Sequence, residues 1–165
     1  MRVAVLTVSD AGARGQRADR SGDAIAAWAA ARHATLSARA LVPDDGDAIV
    51  RQLVAWCDGD AADLVLTTGG TGLSARDVTP EATRTVLDRE APGIAELLRA
   101  SSVGRFPHAA LSRGVAGTRG RTLIVNLPGS TGGVTDGLLA LDPIVEHAVG
   151  VLRGTITDHG RGNAK

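Results

Sequence analysis

Asp63-Leu64-Val65-Leu66-Thr67-Thr68-Gly69-Gly70-Thr71-Gly72 joins an apolar run without helical periodicity directly to a cluster of glycines. Such a run is the pattern of a strand buried on both faces, as in a parallel sheet. The glycines leave several backbone N–H groups with no side chain in front of them, which suits a phosphate or another anion, and Thr71 adds a hydroxyl donor. A tight turn with positive φ would use the same residues. Their place at the end of a core strand favours the cradle. Gly70-x-Gly72-x-x-Ala75 also fits a dinucleotide fingerprint, but that motif opens directly into its helix and normally follows the first strand. Here Asp77, Thr79 and Pro80 delay the helix, and the strand is the third.

Upstream, residues 3–8 and 35–42 read as two more strands, separated by a polar loop over 12–21 and an Ala-rich helix over 23–32. Pro43-Asp44-Asp45-Gly46 breaks the second strand, and Ile49, Leu53 and Trp56 give helical spacing through 47–58. Downstream, Thr79 and Pro80 offer an N-cap and first-turn proline for a helix to about 89, and Pro92 opens another to about 101. Residues 109–120 suggest an irregular extended hairpin and 122–126 a further core strand; helices at 134–141 and 143–152 close the chain. The alternation predicts an α/β domain over 1–153, with a mostly parallel central sheet, helices on both faces, and a flexible tail over 154–165.

Ligands in such sheets sit outside the carboxyl ends of the strands. That rule selects Ser9-Asp10, Pro43-Asp44, the stretch from Gly69 to Asp77, and Asn126-Leu127-Pro128-Gly129-Ser130. Asp10, Asp44 and Asp77 fall beside strand ends, with Asp19 in the first loop; each alone would pass for a cap or a solvated residue. Carboxylates converging beside an anion cradle are what Mg²⁺ with bound phosphates requires. The 126–130 loop repeats the logic, because a glycine allows close approach and Ser130 starts a helix whose N-terminus favours negative charge.

Composition removes several alternatives. Hydrophobic residues at 44% and charged ones at 22% indicate neither disorder nor a membrane span. Eighteen basic and eighteen acidic residues cancel, and Trp28, Trp56 and Phe106 are the only aromatics, so nucleic acid is not expected as a partner. The one lysine is Lys165 and tyrosine is absent, which excludes an internal Schiff-base or P-loop lysine and a Tyr-dependent dehydrogenase. Cys57 alone permits no disulfide or multi-cysteine metal site. His33, His108, His147 and His159 lack ligand spacing, and no Gly-x-Ser-x-Gly elbow exists. The apolar start is too short for a signal peptide, so a cytoplasmic protein is expected.

With these residues in view, the chain resembles the molybdopterin adenylyltransferase family of the MogA/MoaB type, related to the gephyrin G domain. Similarity runs from Val3 to about Leu152. It is carried by Thr7-Val8-Ser9-Asp10, Asp19-Arg20-Ser21-Gly22, Val42-Pro43-Asp44, Thr67-Thr68-Gly69-Gly70-Thr71-Gly72, Arg76-Asp77-Val78-Thr79-Pro80-Glu81-Ala82-Thr83, Leu111-Ser112-Arg113 and Asn126-Leu127-Pro128-Gly129. Thr131 stands where many relatives have proline. The resemblance implies a trimeric three-layer α/β/α domain that transfers AMP from ATP to molybdopterin, with Asp44 and Asp77 as the catalytic aspartates and the Mg²⁺ ligands, and a molybdenum insertase downstream. It further implies that Gly69 to Gly72, Ser112 and the 126–130 loop hold the pterin and its phosphate. A molybdopterin carrier without transferase activity and a competence-related nucleotide hydrolase are the alternatives.

Overall fold

The computed structural model describes residues 1–156; the end of the expected tail, with His159 and Lys165, lies outside the described residues. Strands β1 (Arg2–Val8), β2 (Thr35–Val42), β3 (Leu64–Thr68), β4 (Arg89–Glu90), β5 (Ala116–Arg119) and β6 (Thr122–Leu127) form one sheet in the order β2-β1-β3-β6-β5-β4. The first four strands in that order are parallel; β5 runs antiparallel to β6 and to β4. The three-layer, mostly parallel architecture expected from the alternation is therefore present.

Alternation along β1 divides the core. Val3 and Val5 face one layer with Ile25, Leu66, Val125, Leu138 and Val145, all within 4% exposure. Helices α2 (Arg20–Ala31), α5 (Pro92–Val103) and α6 (Thr131–Arg153) supply that side. Ala4, Leu6 and Val8 face the other layer, built by α3 (Gly46–Asp58) and α4 (Thr79–Val86) through Ile49, Leu53, Trp56, Ala82 and Val86. Apolar residues on both strand faces explain why β1 and β3 read as unbroken runs.

Several boundaries differ from the sequence reading. Part of the 12–21 loop is helical: α1 (Asp10–Ala13) is capped by Ser9, and α2 begins at Arg20 because the Asp19 carboxylate accepts from Gly22 N at 2.9 Å. The helix expected to reach 89 ends at Val86, where the chain turns out to pair as β4. The hairpin is confined to β5 and β6, and Pro107–Leu111 before it is a 3-10 turn. The two closing helices are one. Pro143 lies inside α6 and removes a bond to the Leu139 carbonyl, but Leu139 is exposed, and packing of Leu138, Leu141, Val145 and Val149 holds both halves in line. At its end Gly154 adopts φ 73°, and the N–H groups of Thr155 and Ile156 return to the Gly150 carbonyl, so these residues cap the helix rather than fray from it.

Away from the glycine loops, Asp63 accepts from Arg2 N at 2.6 Å, from the Arg2 guanidinium at 2.8 and 3.1 Å, and lies 2.8 Å from Arg153. Burial pushes this carboxyl upward, but the arginines outweigh it and hold Asp63 below the ordinary carboxylate range. A lowered folded pKa gives stability that is present above the unfolded value near 3.9 and lost as pH falls through the folded one. Asp63→Asn is therefore expected to lose about 2 kcal/mol at pH 7. In urea titrations the gap from wild type should close toward pH 3, and a gap that stays constant would assign the effect to packing alone.

Candidate functional site

The strand order reverses between β1 and β3, which opens a crevice at their carboxyl ends. Gly69 and Gly70 follow β3 with φ 97° and 63°, a region that L side chains rarely adopt. A Cβ on Gly69 would lie 2.2 Å from the Val8 carbonyl, and one on Gly129 would lie 3.2 Å from the Gly69 Cα. The glycines thus bring the ends of β1, β3 and β6 into direct contact. Thr68 Oγ1 donates to the Pro128 carbonyl at 2.7 Å and locks two of them together. Thr79, expected as an N-cap, instead donates its hydroxyl to the Gly69 carbonyl at 2.9 Å and its N–H to the Gly70 carbonyl at 3.1 Å. Helix α4 starts only after this loop closes, unlike the opening of a dinucleotide fingerprint.

Two cavities flank the glycine loop. The first, about 660 Å³, is lined by Thr71, Gly72, Asp77, Ser112, Asn126 and Pro128, with Leu98, Phe106 and Leu111 giving it an apolar side. The second, about 740 Å³, is polar and lined by Ser9, Asp19, Asp44 and Gly69 together with Gln16, Arg17, Arg20 and Ser21. Gly70, Gly129 and Ser130 line both. Asp44 Oδ1 lies 3.2 Å from where a Gly70 Cβ would stand, and Asp77 Oδ2 lies 2.9 Å from the corresponding position on Gly72. Both carboxylates therefore border one three-residue segment, one from each cavity.

Other expected residues are engaged elsewhere. Asp10 lines neither cavity: Arg76 holds its carboxylate from two nitrogens at 2.7–3.2 Å and keeps it below the ordinary carboxylate range. Asp10 N donates to Asp44 Oδ2 at 2.8 Å, and Asp44 N donates to Asp10 Oδ1 at 3.1 Å. Asp10 thus orients Asp44. Asn126 is buried, donating to Thr67 Oγ1 and Thr83 Oγ1 and accepting from Val115 N, so its side chain ties β6 to β3 and α4. Asp19 feels burial upward, yet Arg39, Gly22 N and Thr7 lower it overall and fix it as a helix cap.

The sequence reading singled out no role for Arg17, Arg20 or Arg99. Arg17 and Arg20 line the second cavity and form no ion pair among the described residues. Arg99 lines the first cavity and donates to the Ser112 and Gly114 carbonyls at 3.3 and 3.0 Å. Arg17 and Arg99 lie outside the quoted motifs and Arg20 inside one, but only folding brings the three to the strand ends. Among the described residues, no group of three or more His, Cys, Asp or Glu side chains could hold a metal ion. Mg²⁺ keeps waters and takes one or two carboxylates beside phosphate oxygens, so half-buried Asp44 and Asp77 fit an ion that arrives with a phosphate ligand.

Residues 4–147 match a family model described as "Probable molybdopterin binding domain". A molybdopterin adenylyltransferase of Helicobacter pylori is 38% identical over 163 residues, covering 93% of this chain and 89% of that protein. The molybdenum cofactor synthesis protein cinnamon of Drosophila melanogaster is 44% identical over 109 residues, which are 66% of this chain; the match spans only 18% of the fly protein. The solved molybdopterin biosynthesis enzyme MoaB of Thermus thermophilus superposes with a TM-score of 0.88 at 52% identity, covering 93% of this chain and 96% of that one.

Proposed function

The chain belongs to the molybdopterin-binding domain family, and we propose that it is a molybdopterin adenylyltransferase acting in molybdenum cofactor biosynthesis. The observation that carries the reading is the pair of cavities meeting at Gly70, Gly129 and Ser130, with Asp44 bordering one and Asp77 the other. Two phosphate-bearing reactants fit this plan. The pterin occupies the first cavity, against Ser112 and the apolar side, and ATP the second, where Arg17 and Arg20 face the phosphates.

An oxygen of the molybdopterin phosphate forms a bond to the α-phosphorus of ATP while the α–β bond breaks and pyrophosphate leaves. A phosphate monoester has a second pKa near 6 and is already largely ionised at neutral pH, so no strong base is required. The difficulty is anion approaching anion. Backbone N–H groups of the glycine loop and the arginines of the rim screen that repulsion, and the shared wall holds the reacting groups in line. Mg²⁺, held by Asp44 and Asp77 when bound, would neutralise charge on the triphosphate and its leaving group. Asp10 contributes by fixing Asp44, and Arg76 is engaged with Asp10 rather than free to screen the reactants.

Incubation with ATP, Mg²⁺ and molybdopterin is expected to release pyrophosphate in step with adenylyl-molybdopterin. Binding without pyrophosphate would make the protein a carrier. Turnover of a pyridine nucleotide or ADP-ribose without pterin would make it a hydrolase. The reading includes a cytoplasmic homotrimer that passes its product to a molybdenum insertase; light scattering at three times the 16.8 kDa chain mass would support the trimer, and a monomer mass would remove it.

A further inference from the structure

We infer that Arg113 is a positioning residue for Asp77, fixing the loop that carries this carboxylate to the segment that lines the pterin cavity. The inference rests on the adenylyltransferase reading. Residues 73–76 of that loop are exposed and lie outside helix and strand; Ser74 N donates to Asp77 Oδ2 at 2.9 Å within the loop, and Arg76 ties its tip to Asp10. Arg113 takes hold of both ends. Its backbone N–H donates to the Thr71 carbonyl at 2.9 Å and its Nε donates to the Gly72 carbonyl at 2.6 Å. One terminal nitrogen donates to the Asp77 carbonyl, and the other pairs with the Glu81 carboxylate in the first turn of α4.

Acceptors at the start of the loop, at its end and on the following helix are thus held by one planar fork. A lysine ammonium keeps the charge but lacks this rigid array of donors. Arg113 lines neither cavity, whereas its neighbour Ser112 lines the first. The guanidinium therefore acts through Asp77 rather than on a reactant, and it links pterin contact at Ser112 to the position of the carboxylate.

The test compares wild type, Arg113→Lys and Arg113→Ala in pyrophosphate release, and in Mn²⁺ binding followed by electron paramagnetic resonance with α,β-methylene-ATP present. Arg113→Lys is expected to keep KM for molybdopterin within about twofold while kcat falls about 10–100-fold, since small misplacements of catalytic groups cost that much. Mn²⁺ affinity should fall about tenfold with it. Arg113→Ala should lose more and recover several-fold in kcat when guanidinium ion is added. Unchanged kcat and Mn²⁺ affinity in Arg113→Lys would overturn the assignment. So would losses that track a lowered Tm and do not respond to guanidinium, because a merely structural arginine behaves that way. A wild type that releases no pyrophosphate sinks the adenylyltransferase reading instead, and the Mn²⁺ titration then judges Arg113 by itself: no binding to wild type, or equal binding to Arg113→Lys, overturns it.

Discussion

Asp77→Ala is expected to bind molybdopterin within about twofold of wild type while losing adenylylation by about 10²–10³-fold, the range typical of removing one preorganised electrostatic group. Asp77 borders the first cavity, beside Gly72. The Arg113 bond reaches its backbone carbonyl, which alanine retains, so the loop keeps its main anchor. What alanine removes is the carboxylate and its 2.9 Å bond from Ser74 N. Asp77→Asn separates those two effects, because the amide oxygen can still accept from Ser74 while the charge is gone. If charge is what matters, Asn and Ala are equally inactive in pyrophosphate release; an Asn variant near wild-type turnover would reduce Asp77 to a loop staple. Molybdopterin affinity, measured by calorimetry on the same variants, shows whether the first cavity has survived.

Gly69→Ala is expected to be the most damaging single methyl in the molecule. At φ 97° an alanine is strained before any contact is considered, and its Cβ would meet the Val8 carbonyl at 2.2 Å. That carbonyl cannot retreat, because β1 is paired on one edge with β2 and on the other with β3. Strain and overlap together should cost about 3 kcal/mol or more. For a chain of this size that corresponds to a fall in Tm of about 6–12 °C. Gly93 is the control: it lies in α5 with nothing within 4 Å of the added carbon and no positive φ. Gly93→Ala should be neutral or slightly stabilising, by up to about 1 kcal/mol. Equal thermal midpoints for Gly69→Ala and wild type would mean that the β3 turn is not the fixed hinge of the crevice.

The sequence by itself determined the layered α/β plan and marked the strand ends at which the two cavities open. The runs at 3–8, 64–68 and 122–126 are short, lack helical periodicity and are bounded by turn residues, the pattern of strands covered on both faces, and glycines directly after such strands leave backbone N–H groups open. Those signals are local, so they survive in one dimension. The tertiary structure alone decided that the glycine loop divides two cavities instead of closing one, and that Asp10 steadies Asp44 rather than lining either cavity. It alone showed Asn126 committed to Thr67, Thr83 and Val115, and Arg113 grasping a loop 36 residues upstream. It also kept α6 continuous through Pro143 by packing both halves on the sheet. These outcomes depend on which donor meets which acceptor across distant segments, and hydrogen-bond partnership over such separations leaves no periodicity or spacing in the chain to be read.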